Sequence, residues 1–486
     1  MSIAPRGRRR TAGSTVKQRR ARLAALLVAL VVAVAAAISA IGGGSLPSPP
    51  PARPAGGAGA GDPFGYVASR EADYVARATA GNAHVLFTKS PGGALATAAR
   101  VAAYRPLVER AAAGTAIDPN LLEALVFVES AGRPQIIAGS DPADAAGLTQ
   151  ILAQTGQGLL RMHIDLTRSR RLTRQIEAVG AGTRAGRLAP LLTRRAAADD
   201  RFNPAKELAA TVRYLQLSEQ RFGRQDLAIE SYHMGIGNLQ QVLAGYDGGQ
   251  AAPYAQVYFD SSPDRHPSTY RLLAGFGDDS SLYYWRVLGA AQIMRLYRTD
   301  RRALARLATL EGADDAGGAV LHPADRTAAF NDPAALAAAY QKRKLVPLPS
   351  NGAALGLIFE RGFAARARSG ANPASLYRGL RPVALRLLIE LAARVRALAG
   401  GRGELRVYST VDDTRDQQRI GDDFTADATG WSFRIARRYV SRAQADAFQA
   451  MLDRLQSLNL IAWVREPSVI DVTVASDGTA TAGHGL

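Results

Sequence analysis

From about residue 95 to residue 300, apolar residues recur three and four positions apart almost throughout, and no clear run alternates as a strand does. That periodicity points to an all-α domain. Its helices carry recognisable starts and stops. Asp118-Pro119 reads as an N-cap with proline in the first turn. It leads into Leu121 to Gly132, LLEALVFVESAG, where Gly132 and then Pro134 read as the stop. Asn203-Pro204 opens a helix through Leu208, Val212 and Leu215 to Phe222-Gly223. Asp226 reads as the cap of LAIESYHM, which runs into the turn Gly235-Ile236-Gly237. Ser280-Ser281 starts LYYWRVLGAAQIMRLY. Residues 160–200 are rich in Arg and interrupted, and read as an inserted loop or a helical hairpin.

Within this frame one residue stands apart. Leu122, Leu125, Val126 and Glu129 share a helix face, so Glu129 lies on the apolar side in the last turn. A partly desolvated carboxylate has a raised pKa, and a protonated Glu at neutral pH is what a general acid needs. The other reading of the same position is a buried Glu paired to a Lys or Arg. The competing carboxylate, Glu230, reads as the solvated face of its own helix. His163 and His266 have no partners at metal-ligand spacing and read as surface or loop residues.

The 486-residue chain is long enough for two or three domains, and at 47% apolar it can bury real cores. Its formal charge is +18, but residues 1–22 hold eight Lys or Arg and no acid, so the remainder is +10. No aromatic–basic interleaving accompanies that charge, which argues against nucleic acid as a partner. An anionic wall or membrane surface fits it as well. There is no cysteine, hence no disulfide or thiolate chemistry. Leu23 to Ile41 is an unbroken run of small and aliphatic residues with Ser39 the only polar one. About 20 such residues span a bilayer, and the basic flank should stay in the cytoplasm. The run reads as a transmembrane signal anchor, or else as a cleaved signal peptide. The expected placement is the cell membrane, single-pass and with the catalytic domain outside, or secretion to the wall if the anchor is cut. Residues 42–66 are Gly, Pro, Ala and Ser for most of their length and read as a tether.

The pattern changes after residue 301. A mixed connector is followed from Arg381-Pro382 by the helix VALRLLIELAARVRAL, stopped by Gly400-Gly401. Leu405 to Ser409 alternates like a strand, SRAQADAFQAMLDRLQSL is helical, and LIAWVRE and SVIDVTVA read as strands. This is a smaller α+β domain. The expected organisation is a basic flank at 1–22, the membrane segment at 23–41, the linker at 42–66, the helical catalytic domain at 85–305, a connector at 306–345, the second domain at 346–476 and a loose tail at 477–486.

Four separated pieces of the first domain belong together. They are Glu129-Ser130, then Gly147-Leu148-Thr149-Gln150, then Ser231-Tyr232-His233 before the Gly-rich turn, and last Tyr283-Tyr284-Trp285. In this order the set resembles the soluble lytic transglycosylases, the goose-lysozyme-like enzymes of bacterial cell-wall turnover. Over roughly residues 100–300 that resemblance implies a lysozyme-like fold. Thr149 stands where the family has Met, Ser231 where it has Ala and His233 where it has Asn, and the Glu129–Gly147 spacing is about three residues longer than the family's. The resemblance implies peptidoglycan as substrate and no cofactor. It casts Glu129 as the catalytic group, first acid and then base, closing a 1,6-anhydro ring on the muramic sugar. Ser130, Ser140, Gly147, Gln150, Tyr232, His233, Tyr283 and Tyr284 are the implied substrate contacts. Adjacent helical residues point about 100° apart, so only one of Tyr283 and Tyr284 can face the cleft. The alternatives are a lysozyme-type muramidase on the same fold and a non-catalytic wall-binding protein.

The second domain, over roughly residues 375–475, is similar to the zinc D-alanyl-D-alanine carboxypeptidases and dipeptidases. Asp427 falls on that family's first His ligand, Arg434 on its Asp ligand and Asp471 on its last His, while only Glu466 matches its base. A guanidinium is always charged and cannot ligate a metal. The resemblance therefore implies a fold kept and a metal lost, with Arg434 bridging Asp427 and Asp471.

Overall fold

In the computed structural model the structure describes residues 62–180, 185–277, 279–360, 374–420 and 425–478, all of which belong to the unit formed by residues 59–486. The helices that position the site are, in chain order, α1 (Glu71–Gly81), α2 (Pro119–Ser130), α3 (Leu166–Gly180), α4 (Leu188–Ala198), α5 (Pro204–Phe222), α6 (Gln225–Met234), α7 (Tyr254–Asp260) and α8 (Tyr283–Thr299). They continue in the second half with α9 (Ala316–Leu321), α10 (Pro382–Leu398) and α11 (Arg442–Ser457). The first lobe is built on α2, which packs along α8 and buries Leu122, Leu125 and Val126.

The local chemistry sets the helix ends. The Asp118 carboxylate accepts the Asn120 N–H at 2.8 Å, and Pro119 occupies the first turn. At the other end Ala131 takes the left-handed conformation (φ 54°), one residue earlier than the glycine signal. The Ala131 and Gly132 N–H groups then satisfy the carbonyls of Phe127 and Val126. Asn203 caps α5 through the N–H groups of Ala205 and Lys206, and Gly223 ends it at φ 69°. Helix α6 starts after Arg224 rather than at Asp226. Asp226 pairs with Arg224 and accepts the Tyr254 N–H. The Arg-rich stretch is a helical hairpin, α3 and α4, with its own small apolar cluster of Leu172, Leu191 and Ala198.

The second lobe contains a five-stranded sheet: β1 (Leu357–Phe359), β2 (Leu405–Ser409), β3 (Ser432–Ala436), β4 (Ile461–Arg465) and β5 (Val469–Val474), in the order β1-β2-β3-β5-β4. The pair β1–β2 is parallel and the other pairs are antiparallel. Phe433, Ile435, Ile470 and Val472 on one face join Leu387 and Leu391 of α10 and Phe448 and Leu452 of α11 in the core. The expected connector is itself partly helical and includes α9, which packs on β4 and β5.

The two lobes share one continuous core, which runs from Phe64, Tyr74 and Trp285 to Leu391, Phe448 and Val472. Ion pairs stitch the junction. Arg394 grips Asp264 with two bonds of 2.6 and 2.8 Å, and Arg454 donates to the carbonyls of Phe64 and Phe259. The end of the expected linker is therefore built in: Phe64 is fully buried and Asp62 sits against both arginines. Composition misled here because one aromatic at the end of a Gly/Pro-rich run suffices to anchor it.

The fold is thus a largely all-α region with a smaller mixed α/β region. Among the described residues no helix is long and apolar enough to cross a membrane. Even the longest, α5, carries Lys206, Glu207, Arg213, Glu219 and Arg221. Leu23 to Ile41 lies outside the described residues. No described helix supports the expected transmembrane anchor, the membrane as a partner or the single-pass localisation.

Candidate active site

Glu129 lies in the last turn of α2 and is only partly exposed. Burial pushes its carboxyl up to about 7, while a hydrogen bond from the Tyr283 hydroxyl to Oε1, 2.5 Å long, pulls it back down. Tyr283 is the first residue of α8, so the α2–α8 packing is what joins the two groups. The His233 ring stacks on Tyr283 at 5.1 Å and 9° between planes, and Tyr232 lies beside it at 6.5 Å. An imidazole in place of the family's Asn thus gains an aromatic partner.

Tyr232 ties this cluster to the Gly-Leu-Thr-Gln turn. Its hydroxyl donates to the Thr149 carbonyl at 2.9 Å, and the Tyr214 ring meets it edge-on at 5.1 Å. The turn is held from beneath by Glu207, a residue the sequence reading passed over. The fully buried Glu207 carboxyl accepts the N–H groups of Leu148 (2.5 Å) and Thr149 (2.9 Å) and the Thr149 hydroxyl (3.1 Å). Thr149 also bonds Thr211 at 2.8 Å. A Thr where the family has Met is therefore part of a buried polar network, fully connected as such networks need to be. Burial pushes Glu207 up to about 8, against these donors. Glu207 and Thr211 lie on the same stripe as Leu208 and Leu215, the signal that singled out Glu129.

The other expected contacts divide. Gln150 sits at φ 55° and donates from Nε2 to the Gly147 carbonyl at 2.8 Å, bracing the turn beside the site. Gly147 supplies φ 94° and a backbone placed against Glu207. Ser130 is buried and serves its own helix end, donating to the Val126 carbonyl and accepting the Arg133 N–H. Ser140 is exposed on the loop before the turn, with no hydrogen bond to the Glu129 cluster among the described residues. Tyr284 faces away from Glu129. Its ring packs against Tyr254 and Trp285, and its N–H donates to Glu230 at 2.9 Å.

Glu230 departs most sharply from its expected place on a solvated face. It is fully buried, pushed up to about 8 by burial, and takes the Tyr284 N–H at the start of α8. The reason is that α6 buries Leu227, Ala228, Ile229, Ser231 and Met234 as well, so this helix has no broad solvent face to offer. Glu230 thus caps the helix that presents Tyr283.

The geometry makes a pointed distinction between the two tyrosines. Tyr283→Phe removes the bond that holds Glu129 down, so the alkaline limb of the pH–rate profile should move to higher pH and turnover should fall about tenfold. Tyr284→Phe should move neither. A pH–rate profile of both variants checks this, and equal behaviour would refute the assignment.

Residues 106–253 match the family model described as the Transglycosylase SLT domain. That stretch is an SLT domain. The family is defined by the lytic transglycosylase reaction, which forms 1,6-anhydro-MurNAc. Residues 106–253 thus carry the catalytic module of the peptidoglycan lytic transglycosylases, carbon–oxygen lyases acting on polysaccharide. Glu129, Gly147 to Gln150 and Tyr232-His233 all fall inside the SLT match, and Tyr283 joins them from beyond its end through the fold. No curated protein matches the chain.

On the second lobe's sheet, Arg434 of β3 stands opposite Asp471 of β5, on the face away from α10 and α11. Its Nε lies 2.9 Å from Asp471, its Nη2 lies 3.3 Å from Asp427, and Ser432 donates to Asp427 at 2.5 Å. Glu466 is exposed in the turn between β4 and β5, apart from this cluster. Among the described residues no group of three or more His, Cys, Asp and Glu could hold a metal ion.

Proposed function

We propose that Glu129 is the single catalytic residue of the SLT reaction. In its neutral form it donates its proton to the β-1,4 glycosidic oxygen between MurNAc and GlcNAc as the C–O bond breaks. The N-acetyl group of the muramic sugar stabilises the developing positive centre, the part a second carboxylate plays in most glycosidases. The Glu129 carboxylate then takes the proton of the sugar's 6-hydroxyl, whose oxygen closes onto the anomeric carbon. One proton leaves Glu129 and one returns, so the group is ready for the next cycle. The observation that carries this reading is the Tyr283–Glu129 bond on a carboxyl pushed up to about 7, because one group can serve as acid and base only with a pKa near the working pH. Gln150, Tyr232 and His233 orient the sugar and its acetamide.

The test is mass spectrometry of fragments released from purified sacculi by the wild-type protein. Products ending in 1,6-anhydro-MurNAc are expected. Reducing ends in their place would make the enzyme a muramidase that admits water, and no release would remove the catalytic assignment.

For the second lobe we propose a degenerate D,D-peptidase-like domain, spanning about 346–476, that has exchanged its metal for an ion-pair cluster. Support comes from Arg434 occupying the space between Asp427 and Asp471 with a fixed positive charge. Replacing Arg434 by Ala should cost about 3–5 kcal/mol, because two mostly buried carboxylates lose their shared cation. Chemical denaturation measures that loss. Elemental analysis of the whole protein should find no stoichiometric zinc, and one zinc per chain would overturn the reading.

A further inference from the structure

The helical hairpin α3–α4 carries charge that neither the fold nor the reaction accounts for. Its described residues include seven arginines and one acid, Glu177. Two of the seven are used internally. Arg195 is buried and bonds Thr173 and Gln135, and Arg170 pairs with Asp141 at 2.9 Å. The other five, Arg168, Arg171, Arg174, Arg187 and Arg194, are exposed and form no ion pair among the described residues, although Arg174 also helps to hold the Asp141 carboxyl below its usual range.

Local stability does not explain their placement. Arg168 lies in the first turn of α3, just after the Asp165 carboxylate that accepts its N–H, and Arg187 lies at the N-cap of α4, whose first turn contains no acid. Cations at helix N-termini oppose the macrodipole and cost a few tenths of a kcal/mol each. Arg168, Arg171 and Arg174 follow one another at three-residue intervals, so they form a stripe along α3 and repel one another.

The hairpin is also fixed beside the cleft. Arg170 and Arg195 reach the loop between Glu129 and the Gly-Leu-Thr-Gln turn, at Asp141 and Gln135. At the hairpin's base Ser169 bonds Asp199, which forms a fully buried pair with Arg201. Arg201 donates in turn to the carbonyls of Asp144 and Ile151, on either side of that turn. The arginine stripe is thus held in a set place relative to Glu129.

We propose that the outer face of the α3–α4 hairpin is a docking surface for the stem-peptide carboxylates of the glycan strand held in the Glu129 cleft. This rests on the peptidoglycan reading above and names a second part of the same substrate. A strand in the cleft projects peptides with free carboxylates to either side, and the planar guanidinium fork matches a carboxylate with two parallel hydrogen bonds. Spaced arginines suit this task because successive stems differ in orientation and a charged surface tolerates that spread.

The experiment uses the full-length protein with Glu129→Gln, so that sacculi survive, and adds Arg168→Gln, Arg171→Gln and Arg174→Gln together. Cosedimentation is measured with intact sacculi and with glycan whose peptides an amidase has removed. The triple change should weaken binding to peptide-bearing sacculi about tenfold, as three exposed guanidiniums lose their carboxylate partners. Binding to stripped glycan should not change, and added salt should close the gap. Equal weakening on both materials, or none on either, overturns the proposal. Sacculi freed of phosphodiester polymers but keeping their peptides decide the remaining point. If the defect vanishes there, the surface serves phosphate and the proposal is wrong. Turnover of sacculi by the wild-type protein separately tests the transglycosylase chemistry.

Discussion

Glu129→Gln is expected to reduce release of anhydro-muropeptides by at least about 10³-fold, since one group supplies both general acid and general base and each step contributes roughly 10²–10⁴. The same change should not damage the fold. Gln is nearly the shape of a protonated Glu, and the Tyr283 hydroxyl can still donate to its oxygen. The sign of the stability effect follows from the raised carboxyl, which moves from an ordinary 4.5 to about 7 on folding. Between those values the folded state keeps a proton the unfolded state gives up, so wild-type stability falls as pH rises through that window and is lower above it. The Gln variant lacks this dependence. Its melting temperature should equal that of wild type at acid pH and exceed it on the alkaline side. Wild-type kcat/KM should decline above about pH 7 as the acid form is lost. A Glu129→Gln protein that still turns over sacculi, or a rate with no ionisation near neutrality, would contradict the assignment.

What the sequence disclosed and what it withheld divide along physical lines. Helix α2 was legible because cap, proline, apolar stripe and stop all lie within fifteen consecutive residues and agree. The four pieces around Glu129 were legible as an ordered set, and the ion pairs of Arg434 follow from residue types at positions that β3 and β5 place opposite each other. Glu207 and Glu230 were not legible as buried, because nothing local says what covers a carboxylate. Their burial depends on α5 meeting a turn some 58 residues upstream and α6 meeting a helix start 54 residues downstream. The choice between Tyr283 and Tyr284 failed in sequence for the same reason, since a 100° difference in direction has meaning only once α2 and α6 are placed. Ser140 is a different case. A resemblance nominated the nearest serine, and the loop that carries it turns that serine to solvent. Asp62 to Tyr66 read as linker because composition is an average, whereas Phe64 is fully buried and Asp62 pairs with Arg394 and Arg454.

The second large effect is expected at Gly147, where the site's floor is built with no room for a side chain. The residue sits at φ 94°, and a Cβ there would lie 2.2 Å from the Arg201 carbonyl and 2.4 and 2.5 Å from the Glu207 carboxyl oxygens. Backbone strain of roughly 1–3 kcal/mol adds to an overpacking cost of about 1–3 kcal/mol. Gly147→Ala should therefore lose about 2–6 kcal/mol and melt at least several degrees lower. Activity should fall further than stability, because the turn delivers the Thr149 carbonyl that fixes Tyr232, and a displacement of about 1 Å costs on the order of 10² in rate. Glu207→Ala alone should also destabilise, since it strands the buried N–H groups of Leu148 and Thr149 at about 1–3 kcal/mol each. The double variant separates the two contacts. Removing the carboxyl relieves only part of the Gly147→Ala clash, because the closest atom belongs to the Arg201 backbone and stays in place. The pair should show a favourable coupling of about 1 kcal/mol and no recovery of turnover. Calorimetry and single-turnover rates of the four proteins measure both. Full recovery in the double variant would mean that Glu207, and not the Arg201 chain, sets the height of the turn beneath the sugar.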